Sequence, residues 1–537
     1  MDFMIRKDMQ SKQFNKHWQF CVGSGHALLA LRTDYTRQLR YIHDELGIRY
    51  VRFHGIFNDD MYTMTHLGMQ MPIPGAEEYR EQSFHACGIA YDNVLAAGMK
   101  PFVELSFMPE MLASGDGECM FFYGGNVTPP ADYNAWKQYI QDFIRYLQHR
   151  YGKDEVRTWY FEVWNEPDLN PVFFTGNRET YFKLYEATAR AVKEVDDKLQ
   201  VGGPATSGSK WIKEFVGYCG QHDVPVDFIS THQYAGDPLA GVEGEGALDE
   251  EAAPSQIPEN MSVKELKQAM GQMMAETLYA EKEKTFLAGW RALMPDKSET
   301  DDIPDDVFRK NAALVQKQAE GLPVYYTEWN ENAIFSAYTN DTRKVAAYDV
   351  RAALEIEDFV CGSSVWCFSD IFDEMHQFPQ EFHGGFGMLT LNGIPKPVFY
   401  GMKMLAQVGN ERIDLGKEAT SGEIGIAAFR AEDGIQILMF RQKMKNLDLP
   451  KQGACVQVEL DREPKKVTLQ RIDEDHCNPL KIWEEQGCPA DLNPKEVQEI
   501  IEKSRMIEEN AEYQYQNQVL TFKAELGVND VYLIIVK

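Results

Sequence analysis

Eight short apolar runs, most followed by a helix-like stretch, set the strongest limit on what this chain can fold into. They lie at 19–24, 50–55, 101–106, 159–166, 200–205, 227–234, 323–330 and 363–370. In the stretches between them apolar residues recur every three to four positions, as in YNAWKQYIQDFIRYLQHRY (133–151), the period of an amphipathic helix. A further helix pattern follows the eighth run at 397–408. Strands alternating with helices build a parallel sheet, and eight such units close a barrel. The predicted fold class is therefore α/β, a (β/α)8 TIM barrel over residues 14–408. Functional groups of such a barrel sit at the C-terminal ends of its strands. Several runs end in polar residues: Arg52-Phe53-His54, Asn165-Glu166, His232-Gln233-Tyr234 and Glu328-Trp329-Asn330.

After about residue 410 the pattern changes. Short apolar runs at 424–430, 434–441, 454–460, 465–472, 517–525 and 531–537, with a tight-turn signal at Asp433-Gly434, predict an accessory β-sandwich over 409–537. Residues 1–13 are expected to join it. A helical insertion at about 475–513 interrupts it, with a charged amphipathic helix read from 493 to 513 and Asn493-Pro494 as its start.

One connection is too long for an ordinary βα unit. About 90 residues separate the sixth and seventh runs, and positions 236–310 carry 17 Asp+Glu against 8 Lys+Arg. This acidic insertion holds a low-complexity run, with helix pattern at 263–293. It reads as a solvated excursion; the alternative is a lid or an oligomer contact near the barrel mouth.

The net charge is −29. Such a chain is repelled by nucleic-acid phosphates and anionic membrane surfaces, so neither is an expected partner. No apolar run reaches the roughly 18 residues of a membrane span. The first residues show no apolar leader, and the 9 cysteines are scattered without a CxxC pair. These features predict a cytoplasmic protein with reduced thiols.

The chemistry concentrates in WNEPDL (164–169) and YYTEWN (325–330). A carboxyl among Trp and Phe is poorly solvated, which favours its protonated form and suits Glu166 to general acid work. Glu328 ends the seventh run, across a barrel mouth from the fourth. Two carboxyls on facing strand ends, about 5–5.5 Å apart, are the requirement of a retaining glycosidase. Asn165 is placed to bond a sugar 2-OH. Arg52 and His54 flank Phe53 and share one strand face, as do His232 and Tyr234. A Tyr or His beside Glu328 would donate a hydrogen bond to it. Trp366 offers a flat face to a sugar ring.

These motifs, with LGIRYVRFHGIFNDDM (46–61), FVELSFMPEMLAS (102–114), FYGGNVTPP (122–130), VGGPATS (201–207), SVWCFSDIFDE (364–374) and FHGGFGMLTLNGIPKPVFYGMKML (382–405), resemble glycoside hydrolase family 39, in particular its β-xylosidases. The resemblance spans residues 20 to 408. It implies Glu166 as general acid/base and Glu328 as nucleophile. It also implies Arg52 and His54 as contacts to the nonreducing sugar that orient the nucleophile as well, and Glu374 as a holder of sugar hydroxyls. Phe174 is a candidate aglycone wall; His383 lies in a matching stretch without an assigned role. No metal or organic cofactor is called for, since carboxyls fill both roles.

The expected activity is that of a retaining exo-β-xylosidase acting on short xylo-oligosaccharides, and self-association into a homo-oligomer is compatible with the architecture. The alternatives are another retaining glycosidase of the family or clan (an α-L-iduronidase, β-glucosidase or arabinosidase) or a non-catalytic carbohydrate-binding barrel.

Overall fold

In the computed structural model, residues 1–537 are described apart from 69–72, 76–78, 238–261, 281–285, 294–302, 375–379 and 446. The eight parallel strands are Cys21–His26, Tyr50–His54, Lys100–Glu104, Tyr160–Glu162, Gln200–Thr206, Phe228–Tyr234, Val324–Asn330 and Gly362–Val365. They close a barrel in which each strand pairs with its sequence neighbours and the eighth returns to the first. A helix follows each strand, from Thr33–Leu46 to Pro397–Gln407. The helix Tyr133–Tyr151 buries Trp136, Tyr139, Ile140, Phe143, Ile144 and Leu147 on one side. Its N-terminus is capped by Asp132, whose carboxylate accepts from Asn134 N at 2.8 Å, satisfying one of the free first-turn donors.

Aromatic rings plug the N-terminal end of the barrel. Phe20, Phe102, Phe228 and Tyr325 cluster there with Tyr50 and Tyr160 against them. Above this dry layer the inward positions turn polar: Arg52, Glu104, Glu162 and Ser230 are almost wholly buried. Charged groups survive burial only when paired, so this layer is where the chain's chemistry is set.

The fourth strand is shorter than its apolar run. It ends at Glu162, and residues 163–166 form a turn with Trp164 at φ 73° and Glu166 at φ 41°. Left-handed backbone at two non-glycine residues is a local strain that a site can exploit. Glu166 N donates to Ala205 O at 2.9 Å, which ties the turn to the fifth strand.

The C-terminal region forms two sheets. Asp2–Ile5, Gln452–Glu459, Val519–Leu526 and Tyr513–Gln516 make a four-stranded sheet. A seven-stranded one contains Gly425–Ala431, Gly434–Phe440, Val467–Ile472 and Val531–Val536, and takes Ser11–Gln13 at its edge. Ile5, Ile426, Val456, Leu520 and Ile534 pack between the two sheets. The inserted helix read to 513 stops at Ser504; residues 509–510 and 513–516 pair as strands instead. Its start is a capping box between Asn493 and Glu496. A second helix, Pro479–Glu485, precedes it. Leu480, Trp483 and Ile500 from these two helices pack on Phe382 and Ile394 of the barrel's last loop.

The acidic stretch 238–257 of the long connection lies outside the described residues. Two helices from the rest of it, Val263–Ala280 and Phe286–Leu293, are described. Leu287 packs against the cluster of Tyr234, Phe335, Trp366, Phe372 and Phe386 at the mouth, and Arg291 Nε donates to Ser336 O at 2.9 Å. This part of the connection therefore lies on the mouth. Among the described residues no helix is long and apolar enough to cross a membrane.

Candidate active site

Arg52 organises the floor of the site. It is fully buried and projects from the second strand into the barrel. Nε donates to Glu162 Oε2 at 2.5 Å and Nη1 to Glu328 Oε1 at 2.7 Å. Nη2 donates to Asn165 Oδ1 at 3.0 Å and lies 2.8 Å from Glu104 Oε2. A rigid guanidinium fork is the one side chain that can serve four such acceptors at once. Arg52 therefore reaches Glu328 but has no exposed face for sugar, contrary to the sugar contact the resemblance implies.

Glu104 and Glu162 end the third and fourth strands and were not among the sequence candidates. The signal was available: each lies two residues after an inward aromatic, Phe102 or Tyr160, and so shares its face. Thr327 Oγ1 donates to Glu162 Oε1 at 2.7 Å. His54 Nδ1 lies 2.7 Å from Glu104 Oε2, and Ser106 Oγ bonds the other Glu104 oxygen. Burial opposes ionisation of Glu104, but its contacts with His54 and the Arg52 guanidinium, and the Ser106 hydrogen bond, outweigh it and hold the carboxyl below its ordinary range. The other nitrogen of His54 faces Glu328 at 3.6 Å and Glu374 at 3.7 Å.

Glu328 depends on a β-bulge. Strict alternation from Tyr325 would put Thr327 inside and Glu328 outside. The register with the sixth strand jumps from Thr231 opposite Tyr326 to His232 opposite Glu328. That extra residue lets Thr327 and Glu328 both face inward, while Trp329 is buried outside against Phe308. Tyr234 Oη donates to Glu328 Oε2 at 2.9 Å. Both carboxylate oxygens of Glu328 therefore have donors from other strands.

His232 differs from expectation. Its Nδ1 lies 3.0 Å from Glu166 Oε1 and 3.7 Å from Glu328 Oε2, so its hydrogen bond is to the first glutamate. Burial lowers its pKa to about 4, leaving the ring neutral near pH 7. Burial pushes Glu166 up to about 8, with the nearby Asp168 and Asp237 charges adding to the rise. A carboxyl that keeps its proton at neutral pH is a competent acid. One ligand atom from each of Glu166, His232 and Glu328 lies within 4.8 Å of the others, so the two carboxyls are close enough for direct attack on one carbon rather than through an interposed water.

Trp366 packs beside His54 with ring centroids 4.9 Å apart. Gly23 makes room for it: a Cβ there would fall 2.4 Å from Trp366 Cε3. Glu374 is 3 % exposed and its Oε1 has no hydrogen-bond partner. Burial, then the neighbouring charges of Glu328, Glu104 and Glu166, raise its pKa well above the usual range. Its position is that of a group awaiting a polar ligand. Phe174 is no wall of the site. It is fully buried between Trp164 and Tyr181. The neighbouring Phe173 instead meets Phe121, which in turn lies 6.1 Å from the His54 ring. His383 Nδ1 bonds Gln380 O and the ring packs on Phe335, away from the carboxyl pair.

Known proteins match this chain along most of its length. The family model described as glycosyl hydrolases family 39 matches residues 1–302 and 296–518. A β-xylosidase of Caldicellulosiruptor saccharolyticus is 36 % identical over 539 residues, covering 100 % of this chain and 98 % of that protein. A β-xylosidase of Geobacillus stearothermophilus is 34 % identical over 481 residues, covering 89 % and 84 %. The crystal structure of a monomeric β-xylosidase from Caulobacter crescentus CB15 aligns with a TM-score of 0.76 at 26 % identity, covering 100 % of this chain and 99 % of that one. With its closed barrel, its two C-terminal sheets and a family match along nearly its whole length, this chain belongs to glycosyl hydrolase family 39.

Proposed function

We propose that the protein is a retaining exo-β-xylosidase that releases xylose from the nonreducing end of short xylo-oligosaccharides. The observation that carries this reading is the pair Glu166 and Glu328, with carboxylate oxygens within 4.8 Å at one barrel mouth and opposite environments. In the first step Glu328 attacks the anomeric carbon while Glu166 gives its proton to the leaving oxygen; the glycosidic bond breaks as a glycosyl ester forms. In the second step the Glu166 carboxylate takes a proton from water, the water oxygen bonds to the same carbon, and Glu328 departs.

The remaining residues have supporting roles. Arg52 and Tyr234 aim the two oxygens of Glu328. Arg52 also turns Asn165 by its carbonyl oxygen, which leaves the amide NH2 for the sugar 2-OH. His54, Trp366 and Glu374 bound the sugar recess, each no more than 3 % exposed; so enclosed a recess favours a chain end. A uronate substrate would need a free cation, and the guanidinium of Arg52 is already committed to carboxylates, which favours a xyloside over an iduronide. In this reading residues 14–408 carry catalysis, and 409–537 with 1–13 form the accessory domain. All nine cysteines are free, in keeping with a reducing, cytoplasmic setting.

The test is azide rescue with an aryl β-xyloside bearing a good leaving group. Glu328→Gly should lose activity and recover it with azide, yielding the α-xylosyl azide. Glu166→Ala should yield the β-azide. A β-azide from Glu328→Gly overturns the nucleophile assignment.

A further inference from the structure

We propose that Glu166, His232 and Glu328 also form a binding site for a borderline divalent cation of the Zn2+ class, and that an ion held there is a competitive inhibitor. The three buried side chains each present one ligand atom, all within 4.8 Å of one another. His232 Nδ1 stands 3.0 Å from Glu166 Oε1 and 3.7 Å from Glu328 Oε2. A tetrahedral ion with bonds of about 2.0–2.1 Å needs ligand atoms about 3.3 Å apart. The two edges at His232 bracket that value, the third lies within 4.8 Å, and the terminal carboxylate torsions are soft enough to close the rest.

The surroundings favour a cation. The carboxylates of Glu104, Glu162 and Glu328 share the recess and pair with the single guanidinium of Arg52, three acids to one base. The donor set of one imidazole and two carboxylates suits Zn2+, Ni2+ or Cu2+. Mg2+ and Ca2+ need six or more oxygen ligands and are poorly served. Three protein ligands leave a fourth tetrahedral position for water. An ion there replaces the proton of the Glu166–His232 hydrogen bond, which goes to solvent. It occupies the space between the acid and the nucleophile, where the anomeric carbon and glycosidic oxygen would lie. The competitive mode of action thus rests on the catalytic assignment above; the binding site itself does not.

The test starts from a Cys361→Ser, Cys488→Ser variant, because those two thiols are exposed and could bind the ion independently. Calorimetric titration of this reference with ZnCl2 should give one ion per chain, and MgCl2 should give no binding. Glu328→Gln and His232→Gln, each added to the reference and checked for native circular dichroism, should weaken Zn2+ binding at least tenfold. Glu166→Gln replaces either variant that fails to fold. A smaller loss in either variant overturns the site. In steady-state assays Zn2+ should raise KM for the aryl xyloside and leave kcat unchanged; a fall in kcat at constant KM overturns the competitive mode. The variant titrations need no turnover, so failure of the cation site and failure of the xylosidase reading are separable.

Discussion

Replacing Glu166 by Gln should remove a pH-dependent penalty on the fold. Below pH 4.5 the carboxyl is protonated in both folded and unfolded chains and contributes no difference. Between 4.5 and about 8 the unfolded chain ionises while burial keeps the folded group protonated. Stability therefore falls as pH rises through this window and levels off above it. At about 1.4 kcal/mol per pH unit, the full window corresponds to about 5 kcal/mol. Gln is nearly isosteric and has no proton to lose. The stability of Glu166→Gln minus that of the wild type should thus grow by about 5 kcal/mol from pH 4 to pH 9, since groups that titrate equally in both proteins cancel. Urea denaturation at closely spaced pH values, followed by tryptophan fluorescence, measures the difference. A difference that stays flat with pH would refute the claim that burial, rather than pairing, governs this carboxyl.

Three further outcomes follow from the same geometry. In the wild type kcat/KM for an aryl xyloside should fall above pH about 8, as Glu166 loses the proton it must donate; a profile still level at pH 9.5 contradicts its role as acid. Arg52→Met strands Glu104 and Glu162 as buried charges and should cost about 3–5 kcal/mol in a denaturant titration, together with activity. Phe174→Ala should cost about 3–5 kcal/mol of stability with KM unchanged, whereas Phe121→Ala should raise KM for oligosaccharides with little change in melting temperature.

The accuracy of sequence reasoning here tracks the range over which each feature is encoded. Strand and helix order is local, because a period of two or 3.6 shows within a dozen residues. The two glutamates were legible because acids at the ends of apolar runs are rare. Glu104 and Glu162 stand inside their apolar runs rather than at the ends, and only strand parity with Phe102 and Tyr160 marks them as inward. Phe174 and Phe173 are adjacent and chemically identical, so only packing separates the core ring from the one nearer the site. His232 was placed on the correct strand face, but its partner is a residue 66 positions away.

What the sequence determined alone is the eight-unit barrel, the sandwich that follows and the candidate carboxyl pair. The tertiary structure decided how those carboxyls point. A bulge at Thr327 turns Glu328 inward against the parity of its own strand, and positive φ at Trp164 and Glu166 presents the acid beyond a strand that has already ended. Arg52 joins Glu162 and Glu328 across 110 and 276 residues of chain. Such contacts depend on inter-strand register and barrel closure, which no short stretch of sequence encodes because each is set by the fit of neighbours distant in the chain.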